Sequence, residues 1–130
     1  MPVIRTANRE MEAGNRPEWS SVTSAGMFRI PAEGGRFDCH YHDCDEYWLI
    51  FRGKARVLSE GRVYYVKAGD ILCTKAGDEH DVLEVYEDLE GFWFEDATPP
   101  GGRTCHLHRD EEKAKGHAMT RAPLPGDFPA

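Results

Sequence analysis

No run of this sequence approaches the ~20 apolar residues that span a bilayer, and residues 1–14 carry no apolar core of signal-peptide length. Neither a membrane location nor an export route is expected. Basic residues are outnumbered: 16 Lys and Arg stand against 23 Asp and Glu, for a net charge of −7. A surface of that sign repels nucleic acid and anionic membranes, so neither is expected as a partner. The four cysteines (Cys39, Cys44, Cys73, Cys105) lack the paired CxxC spacing of a structural zinc site. Without an export signal they read as free thiols, and the expected location is the cytoplasm. Helical periodicity of any useful length is missing before residue 108.

What is present is the texture of short strands. The chain has 130 residues, 40% hydrophobic and 30% charged, which suits one globular domain with a real core. Residues 1–17 are polar and irregular and read as an N-terminal arm ending at Pro17. From Trp19 onward, short apolar stretches alternate with Gly-centred turns at 33–35, 51–53, 60–61, 68–70, 76–78 and 87–91. The pattern predicts strands near 20–24, 26–30, 36–42, 46–51, 54–59, 62–67, 70–74, 79–86 and 91–96. That spacing indicates an all-β sandwich or barrel, here a domain over 18–108. Its clearest hairpin is KARVLSEGRVYYVK, turning at Glu60-Gly61. Residues 109–130 form a polar tail with Pro123, Pro125 and Pro129, expected to be extended or disordered.

Against this background HYHDCDEYW, residues 40–48, places ionisable side chains where a strand enters a core. Residues i and i+2 of a strand share a face, so His40 and His42 point the same way. The DCD bend then leads to Glu46, and AGDILCTKAGDEH delivers His80 at the start of another strand. Three neutral imidazoles and a carboxylate aimed at one point are a coordination set for a divalent metal. Buried without one, they would carry a desolvation cost that nothing obvious offsets.

The same residues resemble the cupin family. Gly34, five residues, His40, one residue, His42, three residues, Glu46, six residues and Gly53 match the first cupin motif at each fixed position. Gly69, five residues, Lys75, one residue, Gly77, two residues and His80 resemble the second, with Lys75 where proline is usual and Glu84 where asparagine is usual. The resemblance spans residues 34–84. It implies an all-β, single-domain cupin double-stranded β-helix (jelly-roll) barrel. It also implies one divalent transition metal per chain at the barrel mouth, held by His40, His42, Glu46 and His80. The ligands do not choose among Fe, Mn, Ni, Zn and Cu.

Four protein ligands on a six-coordinate ion leave two positions for a small oxygenated substrate, alone or with dioxygen. The expected function is a metal-dependent enzyme of dioxygenase type. The same set also serves a sugar or sugar-phosphate isomerase, epimerase or lyase, and a non-catalytic small-ligand binding cupin is the rival from another class. Glu84, at the parity of His80, reads either as a general base or as a hydrogen-bonded acid at the barrel edge. Arg36 and Asp38, at the parity of His40, read either as substrate-binding residues or as a salt-bridged pair. Cys39 has the wrong parity for a ligand and Cys44 lies in the bend. CHLH at 105–108 has the spacing of a ligand pair but no evident third partner, and reads as a surface strand or loop. The run 47–51 is apolar on both faces, which suits a homodimer formed through the sheet.

Overall fold

The computed structural model describes residues 3–130, and over them regular structure is almost wholly antiparallel strand. β1 (Val22–Ile30), β3 (Glu46–Ser59), β4 (Arg62–Lys67), β5 (Ile71–Thr74) and β6 (His80–Asp96) form one five-stranded sheet. Its order is β1-β6-β3-β4, with β5 paired to the first half of β3. A two-stranded sheet joins β2 (Arg36–Phe37) to β7 (His117–Ala118), and one short helix, α1 (Glu111–Lys115), precedes β7. The all-β expectation holds.

Three strands are longer than the sequence pattern indicates, among them β1, which joins the expected strands 20–24 and 26–30. Residues 46–51 and 54–59 run on as β3, and 79–86 and 91–96 run on as β6. The apparent turn at 51–53 is a bulge: the register of β3 on β6 shifts on both sides of Arg52. Gly53 makes it possible, with φ at 96° and its Cα so close to β6 that a Cβ would fall 2.2 Å from the Asp88 carbonyl oxygen. Parity then reverses along β3. Glu46, Trp48 and Ile50 are buried before the bulge, and Ala55, Val57 and Ser59 after it. One strand thereby bends and lines two walls.

The β3–β4 hairpin forms as its sequence predicts. Glu60 and Gly61 both take positive φ, 53° and 73°, the type I′ geometry whose twist matches that of the flanking strands. Inside, Ile30, Trp48, Ile50, Val57, Val82, Val85 and Leu89 form the heart of one continuous apolar cluster. Each such aliphatic side chain contributes about 2 kcal/mol on burial, so the barrel rests on apolar packing and not on its polar mouth.

Both terminal segments dock on this body. Met11 exchanges two backbone hydrogen bonds with Ala25 of β1, at 2.7 and 3.1 Å, which lays the N-terminal arm along the sheet edge. The C-terminal tail is mostly irregular but pinned: Met119 sits in the core at 3% exposure, and Phe128 packs 5.0 Å from Tyr65. These contacts come from residues distant in sequence, which is why prolines and polarity alone suggest a looser tail.

Candidate metal centre

The polar mouth of the barrel is assembled by backbone pairing. His40 and His80 exchange two hydrogen bonds, at 3.1 and 2.8 Å, while Tyr41 does the same with Leu107 at 3.0 Å in each direction. Residues 40–42 are thus held as an extended segment between two neighbours, and their side chains alternate. His40 and His42 turn inward, at 2% and 3% exposure, beside His80 at 1% and Glu46 at 6%. The imidazole centroids lie 4.3 Å (His40–His80), 5.0 Å (His40–His42) and 5.3 Å (His42–His80) apart.

The hydrogen bonds fix which nitrogens face the centre. His40 Nδ1 donates to the Asp38 carbonyl at 2.6 Å, and His42 Nδ1 lies 3.2 Å from the carbonyls of Thr104 and Cys105. Each ring's Nε2 is left as a bare lone pair. His42 Nε2 stands 3.0 Å from Glu46 Oε2, and His80 Nε2 stands 3.3 Å from Glu46 Oε1, neither in line for a hydrogen bond. The lone pair of His42 Nε2 facing a carboxylate oxygen at that range is repulsive unless a cation lies between them, and His80 has no hydrogen-bond partner on either ring nitrogen. His42, Glu46 and His80 bring their donor atoms within 4.8 Å of one another, and the donor set fits a divalent ion. His40 belongs to an overlapping group with His42 and His106.

Electrostatics agrees with the geometry. Burial, then the neighbouring His80 and His106, pushes His40 down to about 3, which keeps it in the neutral, ligating form. Burial favours protonation of Glu46, but its contacts with His42 and His80 outweigh that and hold the carboxyl well below the usual range. Trp48 Nε1 donates to Glu46 Oε1 and so sets the carboxylate plane. Burial lowers His42, yet its contact with Glu46 more than reverses the effect and raises it. Without a metal, a proton there takes the cation's place.

One residue of this centre escapes the sequence reading. Glu95, at 8% exposure, is the direct cross-strand partner of Glu46, and its Oε1 lies 3.8 Å from His42 Nε2. Burial, then the Glu46 carboxylate, pushes it up to about 7. Two carboxylates side by side are thus driven apart, one ionised and one protonated near neutrality. The available signal is an acid closing the most aromatic strand of the chain, GFWFED. Both carboxylates open onto a cavity of about 600 Å³ walled by Phe28, Phe37, Trp48 and Trp93, with the N-terminal arm across it through Glu12 and Arg16.

Other expected site residues lie elsewhere. Glu84 does not share the face of His80: β6 carries an extra residue at Leu83, where the register passes from Val57↔Val82 to Arg56↔Glu84, and the bulge turns Glu84 outward. There it accepts from Tyr86 at 2.6 Å and pairs with Arg56 at 3.2 Å. Arg36 is exposed and donates to the Lys115 carbonyl at 3.1 Å, because β2 ends at Phe37 and its parity does not carry to His40. Asp38 neither pairs with Arg36 nor lines the cavity; it sits at the rim against His40, His106 and His108. CHLH therefore has the third partner that its sequence does not reveal. All four cysteines are free. Burial, reinforced by Glu79 for Cys39 and by Glu95 for Cys44, pushes both thiols up to about 12, so neither offers a thiolate.

Comparison with known proteins places these features in a family. The Cupin domain family model matches residues 26–93, 68 of the chain's 130 residues. The chain belongs to the cupin family. A relative, the uncharacterized protein y4oW of Sinorhizobium fredii, is 42% identical over 71 residues, which is 55% of this chain and 33% of that protein. This cupin matches about a third of that relative's length. The structure of Rru_A2000 from Rhodospirillum rubrum, a cupin-2 domain, superposes with a TM-score of 0.61 at 15% identity, over 78% of this chain and 65% of that one. A salicylate 1,2-dioxygenase from Pseudaminobacter salicylatoxidans superposes with a TM-score of 0.55 at 16% identity, over 66% of this chain and 25% of that one. At such identities the likeness shows the shared fold.

Glu95 gives the metal-free cupin a pH signature. Its folded pKa lies above its unfolded value, so its contribution to stability is complete below about 4.5 and is lost as pH rises through about 7. Urea unfolding of chelator-treated protein should show wild type losing stability relative to Glu95→Gln between about pH 5 and pH 8, by up to about 3 kcal/mol. His42 slopes the same way, and because Glu95 is among the charges that raise it, the difference reports Glu95 together with its effect on His42. Parallel profiles would remove Glu95 from the centre.

Proposed function

We propose that this cupin is a metal-dependent enzyme that acts on a small oxygenated organic molecule, with dioxygenase-type chemistry. His42, Glu46 and His80, with His40 as fourth ligand, would hold one divalent transition ion. Bound there, iron, copper or nickel supplies oxygen activation, and manganese or zinc supplies a Lewis acid. The observation that carries the reading is where the donor set opens, onto a cavity with four aromatic walls. Those walls accept a flat, conjugated molecule against their faces and keep water from its charged oxygens. The fold shared with a salicylate dioxygenase supports the reading only at the level of architecture.

A second reading has its own observation. Glu95 holds a proton near neutrality inside the cavity, the state an acid needs to hand a proton to a substrate and take one back. That suits isomerisation, epimerisation or lyase chemistry with the metal as Lewis acid. Oxygen uptake separates the two. Stripped protein is reloaded singly with Fe, Mn, Ni, Zn or Cu and given a panel of aromatic and aliphatic hydroxy acids. The leading reading expects oxygen consumption with a redox-active ion and none with zinc, and a product heavier by both atoms of O₂. An isomeric or decarboxylated product formed under argon would replace it with the second reading. Binding without turnover under every ion would make the chain a binding module. The free cysteines suit a cytoplasmic protein.

We also propose a homodimer through the outer face of the long sheet. Met27, Tyr47, Leu49, Phe51 and Ile71 stand exposed on it, at 46%, 39%, 39%, 43% and 62%. Leu49 is paired with Ile71 on one side and Phe92 on the other, so the patch is continuous across strands. A solvated antiparallel face ordinarily carries polar residues at those positions. Sedimentation of wild type should give a dimer, and Leu49→Lys a monomer that keeps its metal. Monomeric wild type would contradict the proposal.

A further inference from the structure

We propose that Asp38, His106 and His108 form a second divalent-cation site on the barrel rim, weaker than the inner one and built from a different donor set. Its three donors are none of the inner four, although Asp38 and His106 border His40.

The donors already converge. His106 Nδ1 lies 3.1 Å and His108 Nε2 2.6 Å from the same oxygen, Asp38 Oδ2, and the three donor atoms fall within 4.8 Å of one another. Ligands held at ~2.1 Å from one ion lie about 3 Å apart, so a cation replaces the hydrogen-bonding protons with little movement of the chain. Two imidazoles and one carboxylate on a single side are a donor set for a divalent transition ion, with its remaining positions open.

The scaffold holds them there. Tyr41 and Leu107 pair through two backbone hydrogen bonds, so residues 106 and 108 flank a fixed point and face the same way. His106 is further stacked flat on His40, 3.6 Å between centroids and 8° between planes. Asp38 has no competing cation. Among the described residues no lysine or arginine comes within 4.0 Å of it, and its charged-group neighbours are histidines. The nearby Lys113 and Arg109 are engaged instead by Glu79, at 2.9 and 3.8 Å. His106 is 53% exposed and His108 23%, so water fills out the coordination and the ion exchanges readily.

Metal counting on the full chain tests this with Zn²⁺ as the probe. Chelator-stripped protein is dialysed to equilibrium against rising Zn²⁺ and the bound metal is measured by atomic absorption, with circular dichroism confirming the fold. Wild type should take up two ions per chain, one tight and one at least tenfold weaker. His108→Ala and Asp38→Asn should each remove the weaker ion. His117→Ala should keep both, since that histidine is occupied with Asp81 at 2.8 Å, outside the set. His42→Ala should lose the tight ion and keep the weak one, so failure of the inner centre appears separately. A wild-type count of one that His42→Ala abolishes, or a weaker ion that survives both His108→Ala and Asp38→Asn, overturns the rim site.

Discussion

A carboxylate that faces two buried, unpartnered imidazole nitrogens across about 3 Å, shut away from water, is satisfied by a positive charge between them. Glu46 with His42 and His80 is that arrangement, and the barrel mouth is organised around it. Backbone carbonyls take the outer nitrogen of His40 and His42, Trp48 fixes the carboxylate, and burial keeps His40 uncharged. A proton satisfies the geometry in part, by charging His42. A divalent ion satisfies it fully, because one ion accepts several lone pairs at once and a proton accepts only two. Pairing by backbone hydrogen bonds is what makes so costly an arrangement hold. The segment 40–42 is tied to His80 on one side and Leu107 on the other, and the apolar core below supplies the stability.

The part of the site that was legible follows from local periodicity. His40 and His42 share a face because two residues of an extended segment always do, and the motif spacings around Gly34, Gly53, Gly69 and Gly77 resemble those of the family. The same rule misleads at Glu84. Period-two counting from His80 assumes an unbroken ladder, and the extra residue at Leu83 turns Glu84 to the opposite face. Arg36 fails for a related reason, since β2 is only two residues long and the chain is irregular at residues 38 and 39 before His40. A bulge depends on how the partner strand is paired, which a single strand's sequence does not disclose.

What the sequence concealed is contact between distant residues. Glu95 meets Glu46 only because β6 lies against β3 over nearly its whole length, 49 positions further along the chain at that pair. Asp38 meets His106 and His108 only because the Tyr41–Leu107 bridge folds the end of the barrel domain back onto its mouth. On its own Glu95 reads as an ordinary surface acid, Asp38 as a substrate-binding or salt-bridged residue, and CHLH as a ligand pair without a third partner. Brought together, they give the mouth two tiers: an inner set facing the aromatic cavity, and an outer one open to solvent. The N-terminal arm completes the inner tier by crossing the cavity beside Glu95, through Glu12 and Arg16.

A divalent ion that joins Glu46 to the buried histidines is open to direct observation. X-ray absorption at the metal edge, on stripped protein reloaded with a single equivalent of Co²⁺, reads the ligands directly. The predicted spectrum shows imidazole scattering from His40, His42 and His80 with oxygen neighbours at about 2.0–2.2 Å, and that imidazole signal falls in His80→Ala. A spectrum of oxygen neighbours alone, as for the hydrated ion, or one unchanged in His80→Ala, would contradict it.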